Sequence, residues 1–170
     1  VRLVSCKVEG WSSSSWSSAA TISVASRAAL EIEDCMSRGG SVAYTIECGG
    51  WSTTKITSSQ LLGARQAVLH LSGPSDVSLK EVTIADSRGA GVLFSGDTHL
   101  HLDEVTLEKN ALGMTVLNAG CGFEQAGGLF MVQVHPEVEI GAGGISFKDN
   151  ETDLCPTYPG NPWPEGLLKE

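Results

Sequence analysis

A chain of 170 residues with 20 Asp and Glu against 11 Lys and Arg carries a formal charge of −9. That length suits one domain with a sizeable core, and the acidic balance argues against a nucleic-acid partner or an anionic membrane surface, both of which are met by basic patches. Aromatic residues make up only 6% and Gly numbers 20, which argues for many tight corners rather than an aromatic core. No apolar run reaches the ~18 residues of a membrane-spanning helix, and no basic stretch followed by an apolar one opens the chain. It begins at Val1 rather than Met, as a processed protein or a part of a longer one would.

The first element is VRLVSC, residues 1–6. Apolar and polar residues alternate in it, the pattern of a strand with one buried face. A Ser-rich insertion with Trp11 and Trp16 follows, then a second such unit, LEIEDC, ending at Cys35. A Gly-rich stretch brings Trp51 and a third unit, TKITSS, ending at Ser59. From Leu71 the chain repeats itself: LSGPSDVSLKEVTIADS falls on FSGDTHLHLDEVTLEKN with an offset of 23 residues. Val77 and Leu79 fall on Leu100 and Leu102, Val82 and Ile84 on Val105 and Leu107, and Leu71 on Phe94, with Leu117 a further 23 residues on. These copies supply VTIADS and VTLEKN, and ISFKDN closes the series at Asn150. The end positions (Cys, Cys, Ser, Ser, Asn, Asn) are small and polar, and the steps between them are 29, 24, 28, 23 and 40 residues. The last step is one turn with a long insertion or two short turns.

Units that recur at one period with the same order of strand and corner stack as a solenoid rather than alternating as hairpins. Successive turns then pair in parallel, with equivalent positions about 4.8 Å apart. The expected fold is therefore all-β, a parallel β-helix of about five to seven coils over residues 1–150. Residues 151–170 form an irregular Pro-rich C-terminal tail or cap, because four of the six prolines fall there and Pro suits neither a helix nor a central strand. The tail either folds over the last coil with Tyr158 and Trp163 or lies on another subunit.

VSLKEVTIADSRGAGVLFSGDTHLHLDEVTLEKNALG, residues 77–113, resembles the repeat of the right-handed parallel β-helix, pectin-lyase-like superfamily, and GGISFKDN resembles its strand and turn. The resemblance is close over residues 67–118, extends over 1–60 and 128–150, and is absent from the tail. It implies right-handed winding. It does not imply one activity, since that fold hosts polysaccharide lyases, hydrolases, adhesins, surface proteins and structural modules.

Stacking has local consequences. Lys80 over Asp103 is an opposite-charge pair worth about 0.2–1 kcal/mol, and Glu81 over Glu104 a like-charge pair of similar cost. Cys6 and Cys35 share a repeat position one coil apart, which makes them a disulfide candidate or a ladder of two buried thiols. Cys48, Cys121 and Cys155 fall at corners or in the tail and are left unpaired, and no zinc-type Cys spacing occurs. The open ends of a solenoid need covering, and the chain starts straight into a strand.

The metal candidate is His99 and His101, two residues apart on one outer face, with Asp76 below His99 and Asp97 close in sequence; two His and a carboxylate suit zinc. The alternative is two polar side chains on an outer face. The ligand candidates are Trp11, Trp16 and Trp51, which line a sugar-binding surface or close the end of the stack. The acidic residues of one flank, Asp76, Glu81, Asp103 and Glu104, are the carboxylates a polysaccharide enzyme would recruit. The GAGG stretch at 141–144 is no phosphate loop, and the Ser and His residues show no triad spacing. No residue is read as catalytic and no cofactor is expected.

The sequence thus points to a structural or interaction module, an accessory or scaffold subunit of a larger assembly or a segment of a surface protein. Its partners would be other protein subunits, met through the coil ends and the tail. The alternatives are a polysaccharide lyase or hydrolase fragment and a non-catalytic carbohydrate-binding β-helix. An extracellular or organellar-lumen setting is slightly favoured. An enzyme should gather carboxylates from at least two coils in a cleft, a sugar-binding module should expose Trp on one face, and a scaffold should do neither.

Overall fold

A computed structural model describes residues 1–10, 19–117, 121, 134, 136–155, 163, 164 and 167. Among these residues fifteen strands follow in order: β1 (Arg2–Val4), β2 (Lys7–Glu9), β3 (Ala20–Val24), β4 (Ala29–Glu33), β5 (Met36–Arg38), β6 (Tyr44–Cys48), β7 (Ser52–Leu62), β8 (Ala67–Leu71), β9 (Ser75–Ala85), β10 (Ala90–Phe94), β11 (Thr98–Glu108), β12 (Leu112–Val116), β13 (Glu137–Ile140), β14 (Ile145–Lys148) and β15 (Thr152–Cys155). No helix occurs among the described residues. All pairings are parallel. One sheet, A, runs β1-β4-β7-β9-β11-β13, with β2, β5 and β14 beside it, and the other, B, runs β3-β6-β8-β10-β12-β15.

The protein is a parallel β-solenoid. The uninterrupted stretch 19–117 completes about four turns, fewer than the five to seven expected, and the flanking strands extend each sheet beyond it. One turn reads as a long strand bent once, a corner, a short strand and a second corner. The bend is a single residue at positive φ: Ser58 in β7, Glu81 in β9 and Glu104 in β11. Ser5, Asp34 and Gly144 hold the same conformation in the other turns. Left-handed backbone disfavours L side chains by about 1–2 kcal/mol, so the corner is held by the ladders on either side of it.

Those ladders form the core. Leu3, Ile32, Ile56, Leu79 and Leu102 stand in one column of sheet A, which Ile140 continues at an exposed end. Leu61, Ile84, Leu107 and Phe147 form a second. Facing them in sheet B are Ile22, Ile46, Leu69, Val92, Met114 and Leu154. Each fully buried Leu, Ile or Val contributes about 1.5–3 kcal/mol. The expected pairs Val77–Leu100, Leu79–Leu102, Val82–Val105 and Ile84–Leu107 are all in register, and Lys80 Nζ lies 3.7 Å from Asp103 Oδ2.

The structure corrects the reading of the six-residue units. TKITSS and VTIADS do not stack: Ile56 pairs with Leu79, and Ser59 with Val82. VRLVSC, LEIEDC and TKITSS precede or span the bend, whereas VTIADS, VTLEKN and ISFKDN follow it. Both halves of a turn alternate apolar residues and both end near a left-handed corner, so one template fits either. The polar end positions therefore make two ladders. In one, the Cys35 amide donates to Ser59 Oγ at 3.0 Å and the Cys6 amide to Cys35 Sγ at 3.3 Å. In the other, the Ser87 amide donates to Asn110 Oδ1 and the Asn110 amide to Asn150 Oδ1, both at 3.0 Å. Asn110 and Asn150 return their own amide protons to the carbonyls of Ile84 and Leu107. Leaving such buried donors unmet would cost about 1–3 kcal/mol each.

Three further boundaries shift. Phe94 pairs with Val116, not Leu117, because the corner before β12 is one residue shorter than the one before β10. The 40-residue step is a single turn: β11 pairs directly with both β13 and β14, and most of the extra length lies between β12 and β13. Residues 152–155, assigned to the tail, are β15, the last strand of sheet B. In the tail, Trp163 is buried in the core with its ring 5.8 Å from that of Phe94, while Tyr158 lies outside the described residues.

Candidate functional site

The corners that lead from sheet B into sheet A stack on one another as Gly49–Gly50–Trp51, Ser72–Gly73–Pro74 and Ser95–Gly96–Asp97. Their contact is close enough to require glycine, since a Cβ on Gly96 would sit 2.6 Å from the Gly73 Cα. Trp51 is held at φ +65 and its amide donates to the Pro74 carbonyl. Trp51 is left 71% exposed. A bulky residue held in left-handed backbone and turned to solvent is the sort of strained position found at ligand sites.

Below Trp51 a groove of about 530 Å³ runs along the stack, lined by Trp51, Ser52, Thr53, Pro74, Ser75, Asp76, Asp97, Thr98, His99 and Glu137. Thr53, Asp76, His99 and Glu137 are consecutive members of one column, so the groove crosses four turns, or about 14 Å at the strand spacing. Ser75 Oγ lies 3.4 Å from Thr98 Oγ1 in its floor. Three carboxylates from successive turns, Asp76, Asp97 and Glu137, thus share a surface with one imidazole and one indole.

The expected metal residues are close but do not converge. Asp76 Oδ1 is 3.5 Å from His99 Nδ1. Glu139, from β13, bridges the two histidines, 3.4 Å from His99 Nε2 and 3.6 Å from His101 Nδ1. Among the described residues no group of three or more His, Cys, Asp or Glu side chains is placed to hold a metal ion. Trp11 and Trp16 lie outside the described residues.

Cys6 and Cys35 stack as expected, with sulfurs 2.7 Å apart, and both are free thiols. The hydrogen bond between them, then burial, raises the Cys6 thiol above the usual thiol range. Cys48 is also free, and burial pushes it up to about 11. The disulfide is Cys121–Cys155, a pair the sequence did not single out. It ties the chain after β12 back to β15.

Sequence reasoning also missed a polar cluster on sheet B. Glu47 and His70 are register partners on β6 and β8. The His70 ring stacks on Tyr44 at 4.0 Å. Its Nδ1 lies 3.3 Å from Glu47 Oε1, and its Nε2 lies 2.7 Å from Ser95 Oγ. The Nδ1 contact is poorly aligned, and that buried atom makes no hydrogen bond. Burial holds the imidazole down at about 4. The signal was the repeat itself: 47 and 70 differ by 23, and 95 follows two residues after the next equivalent position. A search for sequence-local triads does not test that spacing.

Set against protein-family models, curated proteins and solved structures, the chain matches none of them.

Proposed function

We propose that this protein is an interaction module of the pectin-lyase-like type that holds an extended polysaccharide along the groove beneath Trp51. The observation that carries the reading is the exposed indole at one end of a groove whose walls are hydroxyls and carboxylates from four successive turns. An indole face offers apolar area for the C–H face of a sugar ring, and carboxylates and threonine hydroxyls meet sugar hydroxyls as acceptors and donors. A column of equivalent positions repeating about every 4.8 Å suits a ligand that is itself a linear repeat. Asp76, Asp97 and Glu137 would repel a polyuronate, so the ligand class is a neutral polysaccharide. The Cys121–Cys155 disulfide suits an oxidising compartment, extracellular or lumenal.

The test is titration of neutral and uronate oligosaccharides against the full chain, followed by tryptophan fluorescence and calorimetry. A neutral oligosaccharide should bind, and Trp51→Ala should weaken it at least tenfold, or about 1.4 kcal/mol. Equal binding by Trp51→Ala, or binding of the uronate alone, overturns the reading. A scaffold role is the second reading, and it would show as a fixed larger native mass with co-purifying subunits.

A further inference from the structure

The cluster on sheet B belongs neither to the groove nor to the core. Its three members come from three successive turns and fall into an order: carboxylate, imidazole, hydroxyl. Ser95 and Glu47 are partly exposed, and His70 lies buried between them. Ser72 provides an internal comparison, because it occupies the position of Ser95 one turn earlier. Ser72 Oγ donates to the Cys48 carbonyl at 3.3 Å, and the Leu71 carbonyl lies in the same place 3.4 Å from Ser95 Oγ, whose one proton can go either to it or to the nearer His70 Nε2. Holding the corner therefore needs only that backbone contact. What Ser95 has in addition is an imidazole nitrogen at 2.7 Å, the short contact of a hydroxyl with a basic nitrogen.

We propose that Ser95, His70 and Glu47 form a nucleophile, general base and positioning carboxylate that hydrolyse small carboxylic esters. The inference does not rest on the polysaccharide reading. With the Nδ1 proton facing Glu47 Oε1, Nε2 is left as the acceptor of the Ser95 proton. A misaligned base–carboxylate contact is common before a substrate binds. Ser95 Oγ attacks the carbonyl carbon as its proton passes to Nε2. The tetrahedral adduct expels the alkoxide, which takes that proton and leaves as the alcohol. Water, giving its proton to the same nitrogen, then attacks the acyl carbon. The C–Oγ bond breaks, Ser95 recovers the proton, and the carboxylic acid departs. Ester and water become alcohol and acid, with no other reactant. Burial keeps the imidazole neutral, and so able to accept, across the neutral range. The charged and titratable groups around it are Glu47 and Tyr44 on β6, with Arg65 in the corner before β8 acting on Tyr44.

The test uses the full chain with p-nitrophenyl acetate as substrate and a fluorophosphonate as covalent probe, the labelled residue being identified by mass spectrometry. Ser95 should carry the phosphonyl group. Ser95→Ala should lose the label and lower kcat/KM by about 100-fold or more, while Ser72→Ala changes neither. Glu47→Gln should keep the label but lower the plateau rate and move the acidic limb of the pH profile to lower pH, since a carboxylate no longer stabilises the imidazolium. Equal hydrolysis by the wild type and Ser95→Ala, or label spread over other serines, overturns the proposal. An unchanged pH profile in Glu47→Gln overturns the role of Glu47. The alanine variant removes only a hydroxyl at a partly exposed corner, so loss of activity in a folded protein is the decisive reading.

Discussion

The two sheets of the solenoid are built from the same turns yet present different surfaces. In sheet A buried and exposed residues alternate, as in β9, where Val77 and Leu79 are buried while Asp76 and Lys80 are exposed. In sheet B the strands β8 and β10 are buried at every position. Parallel strands covered on both faces read as continuous apolar runs, whereas one-sided strands alternate. AVLHL and AGVLF belong to the first kind and VSLKEVTIA to the second. The difference teaches where function is hidden. On an open face a polar residue is ordinary, and on a covered face a lone histidine such as His70 stands out.

The sharpest way to break this comparison is to reverse the alternation in sheet A. Ile84→Lys places a charge in a fully buried column and should cost more than about 4 kcal/mol, enough to unfold the stack. Thr83→Lys, one residue earlier and facing outward, should stay within about 0.5 kcal/mol. Chemical denaturation of both variants measures the gap, and equal tolerance would sink the assignment of faces. Next in size is the covered face of sheet B. Leu93, an outward member of β10, is buried, so Leu93→Ala should lose about 2–4 kcal/mol. Lys55→Ala, on the outward face of β7, should be near neutral. If Leu93→Ala were equally silent, sheet B would be one-sided after all.

A smaller effect is read from pH. The folded imidazole of His70 titrates at about 4, against an ordinary value of 6.5. The unfolded chain therefore takes up its proton first, and the folded state loses stability as pH falls from about 6.5 towards 4. The loss is at most roughly 3 kcal/mol. His70→Gln should flatten the stability curve in that window, and an unchanged slope would show that the ring is not desolvated.

The core of sheet A was legible because two copies of the turn preserve both spacing and polarity, so offset alone placed Val82 on Val105 and Ile84 on Leu107. The phase of the first three units was not legible. The halves before and after the bend share one pattern, and only the backbone distinguishes a bend at Ser58 from a corner at Asp86. The groove was half legible: Trp51, Asp76, Asp97 and His99 were named, but Glu137 joined them only through the stacking of turns. Glu139 was out of reach because the insertion before β13 breaks the period. The Ser95–His70–Glu47 cluster was written in the repeat, at one-turn offsets that carry no weight until the turns are known to be stacked.

Length also behaves unusually in this stack. From Val82 to Val105 the chain takes 23 residues, and from Val105 to Ile145 it takes 40, yet each pair stands in register. A strand keeps its place through its neighbours above and below, so the 20 residues between Val116 and Glu137 leave β13 and β14 in the same register that three residues, between Phe94 and Thr98, leave β11. A frame held rung by rung needs only that the two ends of a connection reach adjoining rungs, whatever the length of chain between them.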